Sequence, residues 1–173
     1  MLVDSSLRLS VQKFVENRRM DGAYVVDSVT SETAPWVHAA NLEQAQFVRQ
    51  ALRGADVLVV DLDGSKMLTL DQLFAEYKQN FSFPDYFGGN WSAFDECLKD
   101  LEWLPARRYL TIISNAELLL SRESAEQQTY LRAVQDVGKA WSTTVGLGYE
   151  RGHADIPFNT VLVEGAVDLR WRF

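Results

Sequence analysis

Apolar residues along this chain fall into two kinds of pattern, unbroken runs and helical stripes. Ala55 to Asp61 contains the run Val57-Leu58-Val59-Val60, which suits a strand covered on both faces. Asp63-Gly64 breaks it, and Thr69-Leu70-Asp71-Gln72 then forms a capping-box pattern that starts a helix. Leu70, Leu73, Phe74, Tyr77 and Phe81 recur at helical spacing as one apolar stripe. Pro84 ends that helix, Gly88-Gly89 marks a tight loop, and Asn90 is a good N-cap for the next helix. In that second helix Trp91, Phe94, Leu98 and Leu101 share one face, opposite Ser92, Asp95, Glu96, Lys99 and Asp100.

Tyr109 to Ile113 reads as a second buried strand, and Glu123 to Trp141 as a helix with Tyr130, Val134, Val137 and Trp141 in its stripe. Phe158 to Val163 reads as a third buried strand. Alternating Val167, Leu169, Trp171 and Phe173 predict one more at a sheet edge. The order strand, two helices, strand, helix, strand predicts an α/β fold. It has a small parallel sheet of about three strands packed with about four helices, plus an N-terminal extension and an extra C-terminal strand. In the first 54 residues Ala23 to Val26 reads as a strand and Asn41 to Leu52 as a helix. Residues 1–54 are therefore taken as an extension packed on the core of a domain spanning 55–173.

Composition narrows the class. In 173 residues, 47% are hydrophobic and 24% charged, as in an ordinary soluble globular protein. The single cysteine, Cys97, cannot form an internal disulfide, which suits a reducing compartment. No long apolar run predicts a membrane span. Met1 to Met20 carries Asp4 and Glu16 and lacks the apolar core of a signal peptide, so a cytoplasmic location is expected. Residues 1–54 balance six acids with six bases, so the whole net charge of −7 falls in the remainder. Direct nucleic-acid binding needs clustered Lys and Arg, so a basic partner is the better expectation.

Two segments carry candidate chemistry. Val57 to Ser65, with Asp61-Leu62-Asp63-Gly64 after a buried strand, resembles the first motif of the haloacid dehalogenase phosphatases. That resemblance implies a Mg²⁺-dependent phosphatase with Asp61 as nucleophile and Asp63 as general acid, with Ser114 standing in the second motif. Ser65 replaces the family's usual Thr, no paired-Asp motif follows a later strand, and Lys139 is only a helix residue. The phosphatase is the alternative reading.

The second segment is more specific. Phe83-Pro84-Asp85-Tyr86-Phe87-Gly88-Gly89-Asn90-Trp91-Ser92-Ala93-Phe94-Asp95-Glu96-Cys97-Leu98 resembles the signature of the barstar family, intracellular inhibitors of bacterial ribonucleases. The likeness covers about 55–165. Independently of it, residues 85–103 hold Asp85, Asp95, Glu96, Asp100 and Glu102 against Lys99 alone, a local net of −4. An acidic, aromatic-anchored, rigid surface suits a basic nuclease cleft, because carboxylates can take the places of RNA phosphates.

The resemblance implies partner-binding residues position by position. Tyr86 matches the family's contact tyrosine, and Gly88 and Asn90 its loop Gly and Asn. Phe87 and Gly89 lie in the same loop, with Phe87 shared between core and contact. Glu96 matches the central acidic contact, one methylene longer than the usual Asp. Ser92 stands where a second acid is expected, and Asp95 where the best-known members carry Trp. Asp100 extends the acidic face, and Asp136, aligned through Thr129-Tyr130-Leu131, matches a late acidic contact. Ser92 and Asp95 point to a ribonuclease other than the family's best-known target.

The reading is a non-enzymatic inhibitor without metal or cofactor, an immunity partner of a toxic bacterial ribonuclease, monomeric in a 1:1 complex. Cys97 reads as a small core hydrophobe, since His38 and His153 offer it no defined base. Two histidines and one cysteine do not make a structural zinc site. Trp91, Phe94, Trp103 and Trp141 read as core, and Gly146-Leu147-Gly148-Tyr149 as a long loop rather than a phosphate cradle.

Overall fold

A computed structural model describes residues 22–143 and 156–164. The expected C-terminal strand at 167–173, the loop at 146–149 and His153 lie outside the described residues. Within them the order is α1 (Gly22–Val29), β1 (Val37–Ala40), α2 (Leu42–Ala51), β2 (Leu58–Asp63), α3 (Leu70–Asn80), α4 (Trp91–Asp100), β3 (Tyr109–Ser114), α5 (Gln127–Trp141) and β4 (Phe158–Val163). Short 3-10 turns cover Gly64–Lys66, Ala116–Leu118 and Ser124–Glu126. The sheet is wholly parallel in the order β1-β4-β3-β2. The α/β expectation holds, with four strands and five helices among the described residues.

Two corrections fall in the first 54 residues. Ala23 to Val26 belongs to a helix rather than a strand. The short segment Val37–Ala40, which no apolar run announces, is the fourth strand and pairs with β4 from Val37↔Thr160 to Ala40↔Val163. The helix expected over Asn41 to Leu52 forms as α2, with Asn41 and Gln44 closing a capping box.

Each face of the sheet has its own core. On one, Leu73, Phe74 and Tyr77 of α3, Phe94 and Leu98 of α4, and Val134, Val137 and Trp141 of α5 pack on Val60, Leu62, Tyr109, Ile113, Phe158 and Leu162. Burying each such side chain contributes about 1.5–3 kcal/mol. On the other, Val25 and Val29 of α1 and Ala45 and Val48 of α2 cover Leu110, Ile112, Val161 and Val163. The strands are apolar on both sides because both sides are covered.

Polar pins join the layers. The Tyr77 and Tyr130 hydroxyls meet at 2.7 Å between α3 and α5. The Trp141 indole donates to the Leu98 carbonyl at 2.8 Å. On the other side buried His38 pairs through Nε2 with Asn159 Oδ1 at 3.0 Å, and Asn159 Nδ2 donates to the Ser31 carbonyl at 2.9 Å. Gly138 lets α5 approach β1 closely, since a Cβ there would lie 2.3 Å from the Trp36 Cβ.

Candidate functional site

The loop between α3 and α4 is anchored from within. Beyond α3, Phe81 and Phe83 are buried, and the Trp103 indole donates to the Phe81 carbonyl at 2.9 Å. A turn follows, closed by the Phe87 N–H donating to the Pro84 carbonyl at 3.0 Å. The Phe87 ring folds inward, edge-on to Phe83 at 4.9 Å and to Phe74 at 5.9 Å. With its neighbour held this way, Tyr86 is thrown outward and stays 69% exposed, the most exposed large hydrophobic side chain of the described residues. Phe87, predicted to be shared between core and contact, is half-buried as the anchor of the loop.

Gly88, Gly89 and Asn90 are exposed. Gly89 takes φ +62°, in the left-handed region that glycine occupies without strain. Asn90 Oδ1 accepts the Ala93 N–H at 3.0 Å and Nδ2 donates to the Gly88 carbonyl at 3.4 Å, so one side chain both caps α4 and closes the turn. Trp91 fixes the helix start, packing edge-on against Phe74 and donating its indole N–H to Glu126 at 3.1 Å. Trp91, Phe94, Trp103 and Trp141 all pack in the core or against it.

The outward face of α4 carries the charge. Ser92, Glu96 and Asp100 follow at four-residue spacing and so form one stripe. Glu96 and Asp100 act on the Tyr86 phenol: desolvation first, then Cys97 and these two carboxylates, push it above the ordinary tyrosine range. Glu96 and Asp100 thus lie within electrostatic reach of Tyr86. Burial, then the same two carboxylates, also raise the Cys97 thiol, which sits in the core as a protonated, inert group.

The Asp95 carboxylate meets Lys99 Nζ at 2.7 Å across one helical turn, so its charge is largely offset within the helix. The i, i+4 spacing of Asp95 and Lys99 makes that pairing legible in the sequence, although the family resemblance places Asp95 among the contact positions. Asp136 lies exposed on α5 and is not among the groups that act on Tyr86.

The alternative site lies at the C-terminal end of β2. Asp61 is bound by Arg49 of α2, at 2.7 Å to one guanidinium nitrogen and 2.8 Å to Nε. Arg49 also donates to Ser114 Oγ at 3.2 Å. Asp63 Oδ1 accepts from the Ser65 N–H at 2.9 Å, Ser65 Oγ at 2.7 Å and Asn115 Nδ2 at 2.9 Å. Desolvation would raise the Asp63 carboxyl, but the hydrogen bonds from Asn115 and Ser65 and the charge of Lys66 hold it below its usual range. A nucleophile tied to arginine and a general acid held ionised do not match the roles the phosphatase motif assigns to Asp61 and Asp63. Arg49 is the residue missed from sequence, because it lies far from the motif on another element.

A wholly parallel four-stranded sheet covered by helices on both faces defines a domain of α/β class. Residues 57–162 match the family Barstar (barnase inhibitor), and the chain belongs to that family. None of the curated proteins is significantly similar in sequence. Among solved structures, the ORC2 protein of Aeropyrum pernix in its ADP form is similar with a TM-score of 0.54 at 13% identity. That match covers 84% of this chain and 40% of that one. The same protein in ADPNP–ADP complexes gives a TM-score of 0.46 at 12% identity, over 93% and 40% of the two chains. The chain thus spans about 40% of the length of these structures, and at such identity the first likeness shows a shared fold alone. Among the described residues no helix is long and apolar enough to cross a membrane.

Proposed function

We propose that this protein binds and blocks the basic active-site cleft of a bacterial ribonuclease, as a cytoplasmic immunity protein against a toxin. It acts by occupation, as a monomer in a 1:1 complex, and catalyses nothing itself. Residues 55–173 are the inhibitory domain in this reading, with 1–54 as an N-terminal extension of which β1 joins the sheet. One observation carries the reading: in a chain of the Barstar family, an exposed Tyr86 stands beside Glu96 and Asp100 on a capped, aromatic-anchored loop and helix.

The chemistry follows from that surface. Glu96 and Asp100 take the places of substrate phosphates among the target's arginines and lysines. Tyr86 offers a large side chain with few rotors, a favoured interface anchor. Phe87 and Asn90 hold the turn in its bound shape before the encounter, which lowers the ordering cost of binding. Gly88 and Gly89 let the partner approach the main chain closely. Ser92 keeps a polar contact without charge, Asp95 is neutralised by Lys99, and Asp136 gives a peripheral acid. This pattern selects a ribonuclease whose cleft places its positive charge opposite Glu96 and Asp100.

Steering by charge gives the reading a kinetic signature. Raising the salt concentration is expected to slow association with the target far more than it speeds dissociation, because long-range attraction is screened while the docked contacts are not. Stopped-flow association rates across a salt series check this. Rates independent of salt would remove electrostatic steering from the account.

A further inference from the structure

The turn that follows Tyr86 is clamped at both ends by one ring. Phe87, just before Gly88-Gly89, and Trp91, just after Asn90, both meet Phe74 of α3 edge-on, at 5.9 Å and 5.2 Å. Such ring contacts hold a side chain by packing, without a strong directional bond. Of the two, only Trp91 carries a donor that reaches beyond the aromatic cluster. Its Nε1–H donates to Glu126 Oε2, at the start of α5, at 3.1 Å.

Indole hydrogen bonds tie α4 to α5 at two points. Near the end of α4 the Leu98 carbonyl accepts the Trp141 indole N–H at 2.8 Å, and that bond is buried. At its start the Trp91–Glu126 bond is partly buried and adjoins the turn. Two ties fix the direction of a helix, where one leaves it free to pivot. Without the tie at the start, α4 would stay packed through Phe94 and Leu98 while its first turn shifts. The base of this tie is itself held. Glu123 Oε2 accepts the Leu70 N–H of α3 at 2.6 Å, and Gln127 Nε2 donates to the Leu119 carbonyl at 2.9 Å. Glu126 stands at the N-cap position of α5, yet its side chain makes no capping bond there. Its carboxylate serves Trp91 on another helix instead.

We propose that Glu126 is a positioning residue for the binding surface. Its bond to the Trp91 indole sets the first turn of α4, and through it the Asn90-closed turn beside Tyr86 and the line of Ser92, Glu96 and Asp100. This role rests on the reading of Tyr86, Glu96 and Asp100 as the ribonuclease-binding surface. A surface fixed beforehand loses less freedom on docking, so Glu126 raises affinity without touching the partner.

Three variants of the full chain supply the test. Glu126→Ala removes the acceptor, Trp91→Phe keeps a ring against Phe74 but removes the donor, and Glu126→Gln keeps an acceptor oxygen without the charge. Amide hydrogen exchange in the free protein is read at Phe87, whose N–H closes the turn, and at Ala93, whose N–H meets the Asn90 cap. Both amides are expected to exchange several-fold faster in Glu126→Ala and Trp91→Phe and at the wild-type rate in Glu126→Gln, with the β3 amides unchanged throughout. Dissociation from the inhibited ribonuclease is expected to quicken about tenfold in Glu126→Ala and in Trp91→Phe, and no further in the double variant. Glu126→Gln is expected to dissociate at nearly the wild-type rate. Unchanged exchange at Phe87 and Ala93, or exchange quickened equally across β3, would overturn the proposal. So would additive effects in the double variant, or a Glu126→Gln protein that dissociates as fast as Glu126→Ala, which would make Glu126 a direct acidic contact. If the wild type binds no ribonuclease, the inhibitory reading fails and the exchange rates alone decide whether Glu126 positions the turn.

Discussion

Replacing Glu96 by alanine is expected to weaken the complex with the target ribonuclease by more than about 2 kcal/mol, roughly thirtyfold in Kd. Glu96 is the middle member of the stripe from Ser92 to Asp100 and lies within electrostatic reach of Tyr86. Central, desolvated charges opposite basic partners dominate such interfaces, because truncation leaves the partner's cation buried without its counter-charge. Glu96 is exposed in the free protein, so the variant keeps its fold and an unchanged melting temperature. Asp95→Ala is the informative control. Its carboxylate is already paired with Lys99, so its loss is expected to cost well under half as much. Titration calorimetry of both variants decides the matter. Equal effects, or an unaltered Kd for Glu96→Ala, would move the site elsewhere on the surface.

Acid is expected to loosen the fold through His38. Burial pulls this imidazole from 6.5 down to about 4, against the hydrogen bond it makes to Asn159 Oδ1, which raises it. Above pH 6.5 both the folded and unfolded chains hold the ring neutral, and its stabilising effect is fully present. As pH falls from 6.5 towards about 4 the unfolded chain takes up a proton that the native chain refuses. Stability declines across that window by about 3 kcal/mol in all. Urea unfolding midpoints of the wild type and His38→Gln across this pH range isolate the histidine from the carboxylates. The difference between the two proteins is expected to shrink or reverse as pH falls. Parallel curves would show that His38 takes no part.

The consequence is local. His38 lies on β1, Asn159 on β4, and Asn159 in turn holds the Ser31 carbonyl, so protonation strikes the joint between the N-terminal layer and the sheet. Tyr86, Glu96 and Asp100 lie on the loop and helix that pack against the other face.

What could be read from sequence was set by how strongly local pattern and final burial agree. β2, β3 and β4 are covered on both faces and so appear as apolar runs, while α3 and α5 face one core each and show a single stripe. β1 is buried as completely but consists of Val-His-Ala-Ala, four residues with little strand preference, and is held by pairing with a strand over a hundred residues away. The segment Ala23 to Val26 goes the other way, lying in a helix where the sequence predicts a strand. Its valines favour a strand in isolation, but packing of Val25 and Val29 against the sheet makes it a helix.

The same division runs through the site. The Asn90 cap and the outward face of α4 follow from short-range spacing, and the structure carries both. Phe87 was ambiguous because its role as anchor depends on Phe74 and Phe83 reaching it from α3 and the preceding loop. Asp61 looked like a nucleophile because its partner, Arg49, sits on an element whose place against β2 no local pattern reveals.

Inhibition itself is the most direct test. Increasing amounts of the full chain would be added to a fixed concentration of each member of a panel of bacterial ribonucleases, with RNA cleavage followed in every mixture. For at least one member, activity is expected to fall linearly to zero at one equivalent and to reappear when Glu96→Ala replaces the wild type at the same concentration. Full activity of every ribonuclease in excess inhibitor would contradict the account.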